Sequence, residues 1–288
     1  KTSFDMGTAV TIYTNRQSSI ATHIIRYSFF SSTGTIATGV TTSCTWTPPV
    51  SLAAQIPNAT SGWGTILCDT YVNGNLVSTN TCTFQLTVPA SVVPSISNVA
   101  FSEATSGVAD RFGGYVRTRS KLAVSITATG AQGSSISAYR TSIDGVTYSG
   151  ASFTTNTLNT AGNLALTVTV TDSRGRTAST TRTVTVLDYS PPSLSQFTAE
   201  RCNADGTAAQ TDGTKVRISA KASGSSVGGK NTLACTVYYK LSSAESWVST
   251  VTLPPSNYAI SENNRLLSPT FDALSSYDIK IRVQDVFY

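Results

Sequence analysis

The sequence predicts an all-β chain of tandem antiparallel β-sandwiches, and three observations lead there. The first is periodicity. Short segments alternate apolar and polar residues with the period of two that a half-buried strand requires: Leu164–Thr171 reads LALTVTVT, Thr183–Leu187 TVTVL, Val216–Ala220 VRISA, Thr83–Val88 TFQLTV and Asp278–Val283 DIKIRV. These runs are rich in β-branched side chains, which suit a pleated surface buried on one side. The second is turn chemistry. Asn73-Gly74, Asp144-Gly145, Asp205-Gly206, Asp212-Gly213 and, after Asp172, Arg174-Gly175 separate the runs; Asn, Asp and Gly tolerate the positive φ of tight turns. The third is the lack of amphipathic helices between strands, which a parallel α/β sheet would need. One short helical turn is expected at Pro49–Gln55, with proline near its start.

Two proline-marked stretches divide the chain, VPASVVPSI at Val88–Ile96 and LDYSPPSL at Leu187–Leu194. Proline cannot donate to a central ladder and stiffens a linker, so these are natural joints. They delimit three segments, 1–91, 92–189 and 190–288, each near the ~100 residues of an immunoglobulin-like sandwich. A weak repeat supports the division. LALTVTVTDSRG in the second segment matches SYDIKIRVQDVFY in the third, so Asp172 corresponds to Asp285. Tyr277 falls near the start of that strand, where such folds place a tyrosine that bonds back to its own corner. In the second segment a closing strand, RTASTTRTVTVL, follows the Asp turn; in the third the sequence stops at Tyr288, and the sandwich is expected to lack its last strand. Excerpting from a longer chain, or a strand supplied by a partner, would each account for that.

Composition narrows the function. Only 12% of the 288 residues are charged and the net charge is +5, against about 25% charged in ordinary domains. Lysine and arginine are scattered, so no nucleic acid partner is expected. The nearest cluster is Arg111, Arg117, Arg119 and Lys121, expected as a solvated strand face, with an anionic polymer as the other reading. No apolar run reaches the ~18–20 residues of a membrane span, so no membrane partner is expected. The chain opens at Lys1 without a visible signal peptide, as a trimmed or excerpted chain would. Five cysteines without a CxxC pair (Cys44, Cys68, Cys82, Cys202 and Cys235) argue against a zinc site. Buried free thiols are the favoured reading; Cys68 and Cys82 facing each other across the Asn73-Gly74 hairpin, and a Cys202–Cys235 bridge, are the alternatives.

The search for a reactive centre finds little. The single imidazole, His23, sits in the strand-like ATHIIRYSFF, and no GxSxG elbow accompanies it. Acidic residues concentrate in turn dipeptides, which explains them without a carboxylate pair. Neither Gly113-Gly114 nor Gly228-Gly229 belongs to a phosphate-binding loop. Asp172 and Asp188 could stiffen a joint through a calcium ion, but no DxDxDG loop is present. No catalytic residue, metal or cofactor is therefore assigned. Trp46, in CTWTPP, is expected in the core, whereas Trp63, in SGWGT, and Trp247, in AESWVS, are the candidate glycan contacts.

The set FDMGTAVTIYTNR (Phe4–Arg16), TWTPPVSLAAQIPNATSGWGTI (Thr45–Ile66), FQLTVPASVVPSIS (Phe84–Ser97), VTVTDSRGRTA (Val168–Ala178) and FTAERCNADGTA (Phe197–Ala208) resembles minor tail or tail-fibre proteins of siphophages and prophages of Gram-positive bacteria. Those proteins carry tandem Ig-like repeats. The resemblance implies a non-enzymatic structural protein of the virion tail, acting as a spacer or as a host-surface adhesion element. It implies other virion tail proteins as partners, with host cell-surface glycans and further copies of the chain beside them. Two other readings share the fold: a bacterial surface adhesin or filament subunit, and a carbohydrate-binding accessory module of a cell-wall enzyme.

Overall fold

The computed structural model describes residues 2–288, so Lys1 lies outside it. The chain is built almost wholly of strands. The first seven are β1 (Ser3–Asp5), β2 (Val10–Tyr13), β3 (Ala21–Phe29), β4 (Ser32–Val40), β5 (Ser43–Trp46), β6 (Ser61–Val72) and β7 (Asn75–Thr87). They form a five-stranded sheet, β1-β7-β6-β3-β4, and a two-stranded sheet, β2-β5. β1 runs parallel to β7, and every other pairing here is antiparallel. The expected helical turn is a 3-10 helix, Val50–Gln55, with Pro49 at its N-cap. The Asn73-Gly74 hairpin forms with φ of 50° and 79°, both positive as a type I′ turn demands.

The middle segment holds β8 (Ser95–Glu103), α1 (Val108–Phe112), β9 (Tyr115–Val116), β10 (Leu122–Thr129), β11 (Ile136–Ile143), β12 (Val146–Ser149), β13 (Ser152–Thr154), β14 (Gly162–Asp172) and β15 (Thr177–Leu187). Its sheets run β12-β11-β14-β15-β9 and β13-β10-β8. The last segment holds β16 (Ser193–Cys202), β17 (Lys215–Ser223), β18 (Leu233–Leu241), β19 (Val248–Leu253), β20 (Ala259–Leu266) and β21 (Tyr277–Asp285), in sheets β16-β17-β20 and β19-β18-β21. β21 is the edge of its sheet and pairs with β18 alone among the described residues.

By contacts the chain gathers into two compact units, Lys1–Phe101 with Val124–Phe153 and Ala165–Arg182, and Ser102–Ala123 with Thr154–Leu164 and Thr183–Tyr288. In the first unit the two sheets of the opening sandwich close over an aromatic core. Trp46 meets Phe84 edge-on at 5.4 Å and stacks on Tyr27 at 5.2 Å, while Phe4 stacks on Phe84 at 5.9 Å. Offset and edge contacts of this kind add to the area the rings bury. Gly64 is required there. A Cβ on it would lie 2.4 Å from Phe84 Cζ and 2.8 Å from the Ser28 carbonyl oxygen, so Phe84 covers the bare backbone across the strand pair. In the second unit Phe271, Tyr277 and Tyr239 form the corresponding ring cluster, packed with Val237 and Leu253. The Tyr277 hydroxyl accepts a hydrogen bond from the Asp272 amide at 3.2 Å, closing the corner expected of it.

Two expectations are corrected. The arginine cluster is not a strand face. Arg111 lies in α1, β9 spans only two residues, and Arg117 and Arg119 sit in the turn that follows. Phe112 and Val116 are buried, and seating them breaks the extended run. Cys68 and Cys82 do not face each other: Cys68 lies opposite Asn80 and Cys82 opposite Ile66. All five thiols are free, and Cys82 is exposed rather than buried.

Candidate functional site: joints and exposed aromatic surfaces

The densest polar structure in the first unit is the turn after β14, Asp172-Ser173-Arg174-Gly175-Arg176. Asp172 is buried and shapes the turn. One carboxylate oxygen accepts the amides of Arg174 (3.0 Å) and Arg176 (2.9 Å), and the other accepts the Ser134 hydroxyl (2.9 Å). Burial alone would raise its pKa, but the Arg176 amide, the Ser134 hydroxyl and the Arg174 amide outweigh burial and hold it below the usual carboxylate range. The turn then aims Arg174 into a cage of carbonyls. Its guanidinium donates to Ile56 (3.2 Å) and Ala53 (2.8 Å) at the 3-10 helix, and to Ala131 (2.7 Å) and Gln132 (2.6 Å) in the loop after β10. Only a planar fork with five donors serves four acceptors at once. Ser173 donates to the Pro57 carbonyl at 2.6 Å, and Arg176 to the carbonyls of Val88, Pro89 and Val92 in the proline-marked joint. Ser173, Arg174 and Arg176 thus bond the opening sandwich and the joint after it to the next stretch of chain.

The matching turn after β21 fastens differently. Asp285 again caps it, accepting the Phe287 amide at 2.8 Å and the Asn231 side chain at 3.2 Å. The contact it delivers is aromatic. Phe287 stacks on Phe112 at 5.1 Å and meets Tyr189 at 4.7 Å. Arg119 lies over the rings of Phe287 (4.8 Å), Tyr288 (4.9 Å) and Tyr189 (5.1 Å), a cation–π arrangement strengthened by partial desolvation. Tyr189 is fully buried. Burial pushes its phenol pKa up, and Asp285 adds to that, against the Arg119 hydrogen bond. Arg117 donates to the Tyr189 carbonyl at 2.9 Å and pairs with Asp188 at 3.1 Å. Asp172 and Asp188 are therefore engaged by N–H and hydroxyl donors. No group of three His, Cys, Asp or Glu side chains fit to hold a metal occurs among the described residues.

The two tryptophan candidates are far apart in character. Trp63 is 60% exposed on the outer face of the five-stranded sheet, opposite Gln85. Along that face Asp69 pairs with Arg26 at 2.6 Å and accepts the Thr79 hydroxyl at 2.7 Å. A shallow groove of about 370 Å³ between β3 and β4 is lined by Arg26, Ser28, Thr33, Thr35 and Leu67. Trp247 is half-buried beneath two ammonium groups, Lys280 at 4.0 Å and Lys240 at 5.5 Å from its ring centre. His23 is buried in β3, with Nδ1 3.1 Å from the Thr70 hydroxyl and 3.6 Å from Cys68 Sγ. Burial, reinforced by Asp69, raises the Cys68 pKa, so the pair holds a protonated thiol rather than an activated nucleophile.

Paired sheets with short turns, repeated along one chain, define the protein as a tandem Ig-like β-sandwich protein. A family model described as siphovirus protein of unknown function (DUF859) matches residues 1–288, and the chain belongs to that family. No curated protein matches it significantly. Among solved structures the chain is similar to the three N-terminal domains of the outer capsid protein Hoc of bacteriophage RB49 (12% identity, TM-score 0.32, covering 98% of this chain and 91% of that one). It is also similar to an ice-binding adhesin of an Antarctic bacterium (14%, 0.33, 98% and 70%) and to titin domains A168–A170 (12%, 0.29, 99% and 90%). With TM-scores near 0.3 these likenesses carry no argument about this chain.

Proposed function

We propose that the chain is a structural component of the siphophage tail, in which Ig-like modules with boundaries near 1–91, 92–189 and 190–288 serve as a spacer or as a host-surface adhesion element. The observation that carries the reading is the Arg174 cage. A guanidinium given over to four backbone carbonyls at a joint serves mechanics, not chemistry. Membership of a siphovirus family supports a virion location. The outer face around Trp63, with its flanking Gln85, Ser28 and threonines, has the amphipathic make-up that suits a sugar ring, and the Lys280–Trp247–Lys240 stack suits an acidic one. Repeated copies on a virion would add weak contacts into useful avidity.

Immunogold labelling of intact virions with antibodies to this chain tests the location. Gold at the tail supports the reading, and label absent from particles overturns it. Pull-down of the chain by purified host cell wall tests adhesion. Retention lost in Trp63→Ala identifies the contact, and no retention at all leaves the spacer role.

A further inference from the structure

Strand register decides what the outer face of the five-stranded sheet presents. Trp63 of β6 lies opposite Gln85 of β7. The next row on the same face reads Thr33, Ser28, Thr65 and Thr83, on β4, β3, β6 and β7 in turn. The row after it reads Thr35, Arg26, Leu67 and Thr81. Such rows lie about 7 Å apart along the strands, and their members about 5 Å apart across them. Alone, an exposed ring means little. Here the open indole borders a row of four hydroxyls, and beyond them the groove of about 370 Å³ that Arg26, Thr35 and Leu67 help to line.

The charges on this face are spoken for. The five strands hold one arginine, no lysine and two acids, Asp5 and Asp69. Asp69 is buried. One of its oxygens accepts Nε of Arg26 at 2.7 Å and lies 2.6 Å from Nη2, and the other accepts the Thr79 hydroxyl at 2.7 Å. Asp5, at the β1 edge, accepts the Thr87 hydroxyl. The Arg26 side chain nevertheless stays 43% exposed. A guanidinium carries five N–H donors, and those of Nη1 have no partner among the described residues. Arg26 is thus a neutralised donor at the wall of the groove. Trp247 differs in kind, since Lys280 and Lys240 both stand over it.

We propose that this face takes a neutral oligosaccharide, with one ring stacked on Trp63 and the chain running obliquely over Thr65 and Ser28 into the groove, where Arg26 selects it. The proposal rests on the adhesion reading above and assigns its ligand. A sugar offers a C–H face to an indole and a rim of hydroxyls that both donate and accept. Ser28, Thr33 and Thr65 match that rim, and Nη1 of Arg26 supplies donors to a hydroxyl or carbonyl oxygen. From Trp63 to Leu67, level with Arg26, β6 advances about 14 Å, more than one ring spans. An acidic sugar meets no free cation here: Arg26 is already neutralised, and Asp69 and Asp5 repel it.

The test is binding of the full chain to an array of neutral, acidic and amine-bearing oligosaccharides, with the monosaccharides included. Neutral oligomers should bind, and the monosaccharides at least about tenfold more weakly, because one ring cannot reach both Trp63 and the groove. Trp63→Ala should weaken neutral oligomers about tenfold by removing the stacking surface. Arg26→Lys keeps a cation beside Asp69 but lacks the second arm of the fork. It should weaken binding about fivefold and leave the unfolding midpoint unchanged, which a purely structural arginine would not. Trp247→Ala should change nothing. An array on which no neutral oligomer binds, or on which parent and Trp63→Ala bind alike, overturns the proposal. So does selective binding of acidic oligomers that Trp247→Ala abolishes. In any of those cases the cell-wall pull-down separates the two ideas: a chain that the wall still retains keeps the adhesion reading and loses this ligand, and a chain that the wall does not retain loses both.

Discussion

Replacing Arg174 with alanine removes the guanidinium from the carbonyls of Ala53, Ile56, Ala131 and Gln132 and leaves Asp172 with its own three donors. The turn should therefore keep its shape while the cage opens. A hydrogen bond to a charged group contributes roughly 1.5–3 kcal/mol net of exchange with water. The freed space admits water to some of the four oxygens, so the net local cost should be about 2–4 kcal/mol. At about 1.4 kcal/mol per factor of ten, amide exchange should accelerate roughly 30- to 1000-fold. The reporters are amides bonded within the cage segments, Ile56 to Ala53 and Ser134 to Ala131. Hydrogen–deuterium exchange resolved by residue is the assay, with amides of β18 as internal reference. Arg174→Lys should recover only part of the protection, since one ammonium cannot meet acceptors spread around a planar fork. Unchanged exchange at Ile56 and Ser134 in Arg174→Ala would refute the claim that the cage holds the joint.

Other outcomes follow from the same geometry. The folded pKa of Asp172 lies below its unfolded value, so its contribution to stability is complete above the ordinary carboxylate pKa and is lost as pH falls through the lower, folded one; unfolding curves in acid should show Asp172→Asn with a weaker pH dependence than the parent. Gly64→Ala should destabilise the opening sandwich by about 1–3 kcal/mol in urea unfolding, because the added methyl collides with Phe84 and the Ser28 carbonyl. Tyr189→Ala should cost about 3–5 kcal/mol by emptying a fully buried ring site, and Tyr189→Phe about 1 kcal/mol by removing the hydroxyl that meets Arg119; a smaller loss for alanine than for phenylalanine would contradict the packing described. Trp63→Ala should leave stability unchanged within about 0.5 kcal/mol, as befits an exposed side chain.

Much of the fold is legible because period-two alternation is a local signal. LALTVTVT becomes β14, DIKIRV becomes most of β21, and Asn73-Gly74 and Asp144-Gly145 form the hairpins their positive φ suggests. The correspondence of Asp172 with Asp285 is legible too, since each must cap the same turn. What those turns touch is not. Nothing in SRGR distinguishes a solvated turn from one whose arginines occupy carbonyls more than eighty residues away. The arginines near 117 read as a strand face because α1 is only five residues long, too short to show helical periodicity. Tyr189 stood within a proline-marked joint, where an aromatic between Asp and Pro-Pro was the one available sign that the linker is buried. The exposed Cys82 escapes detection for a related reason. Its inward orientation follows from alternation, but its exposure goes with β2 pairing with β5 alone among the described residues, which no local pattern reports.

The central claim is that the Asp172–Arg176 turn makes one body of the opening sandwich and the stretch of chain it grips within the first unit. Residual dipolar couplings of amides in residues 2–87, and in 124–153 with 165–182, measure this directly in solution. A single alignment tensor should fit both sets in the parent chain and should split in Arg174→Ala. Two independent tensors in the parent chain would contradict it.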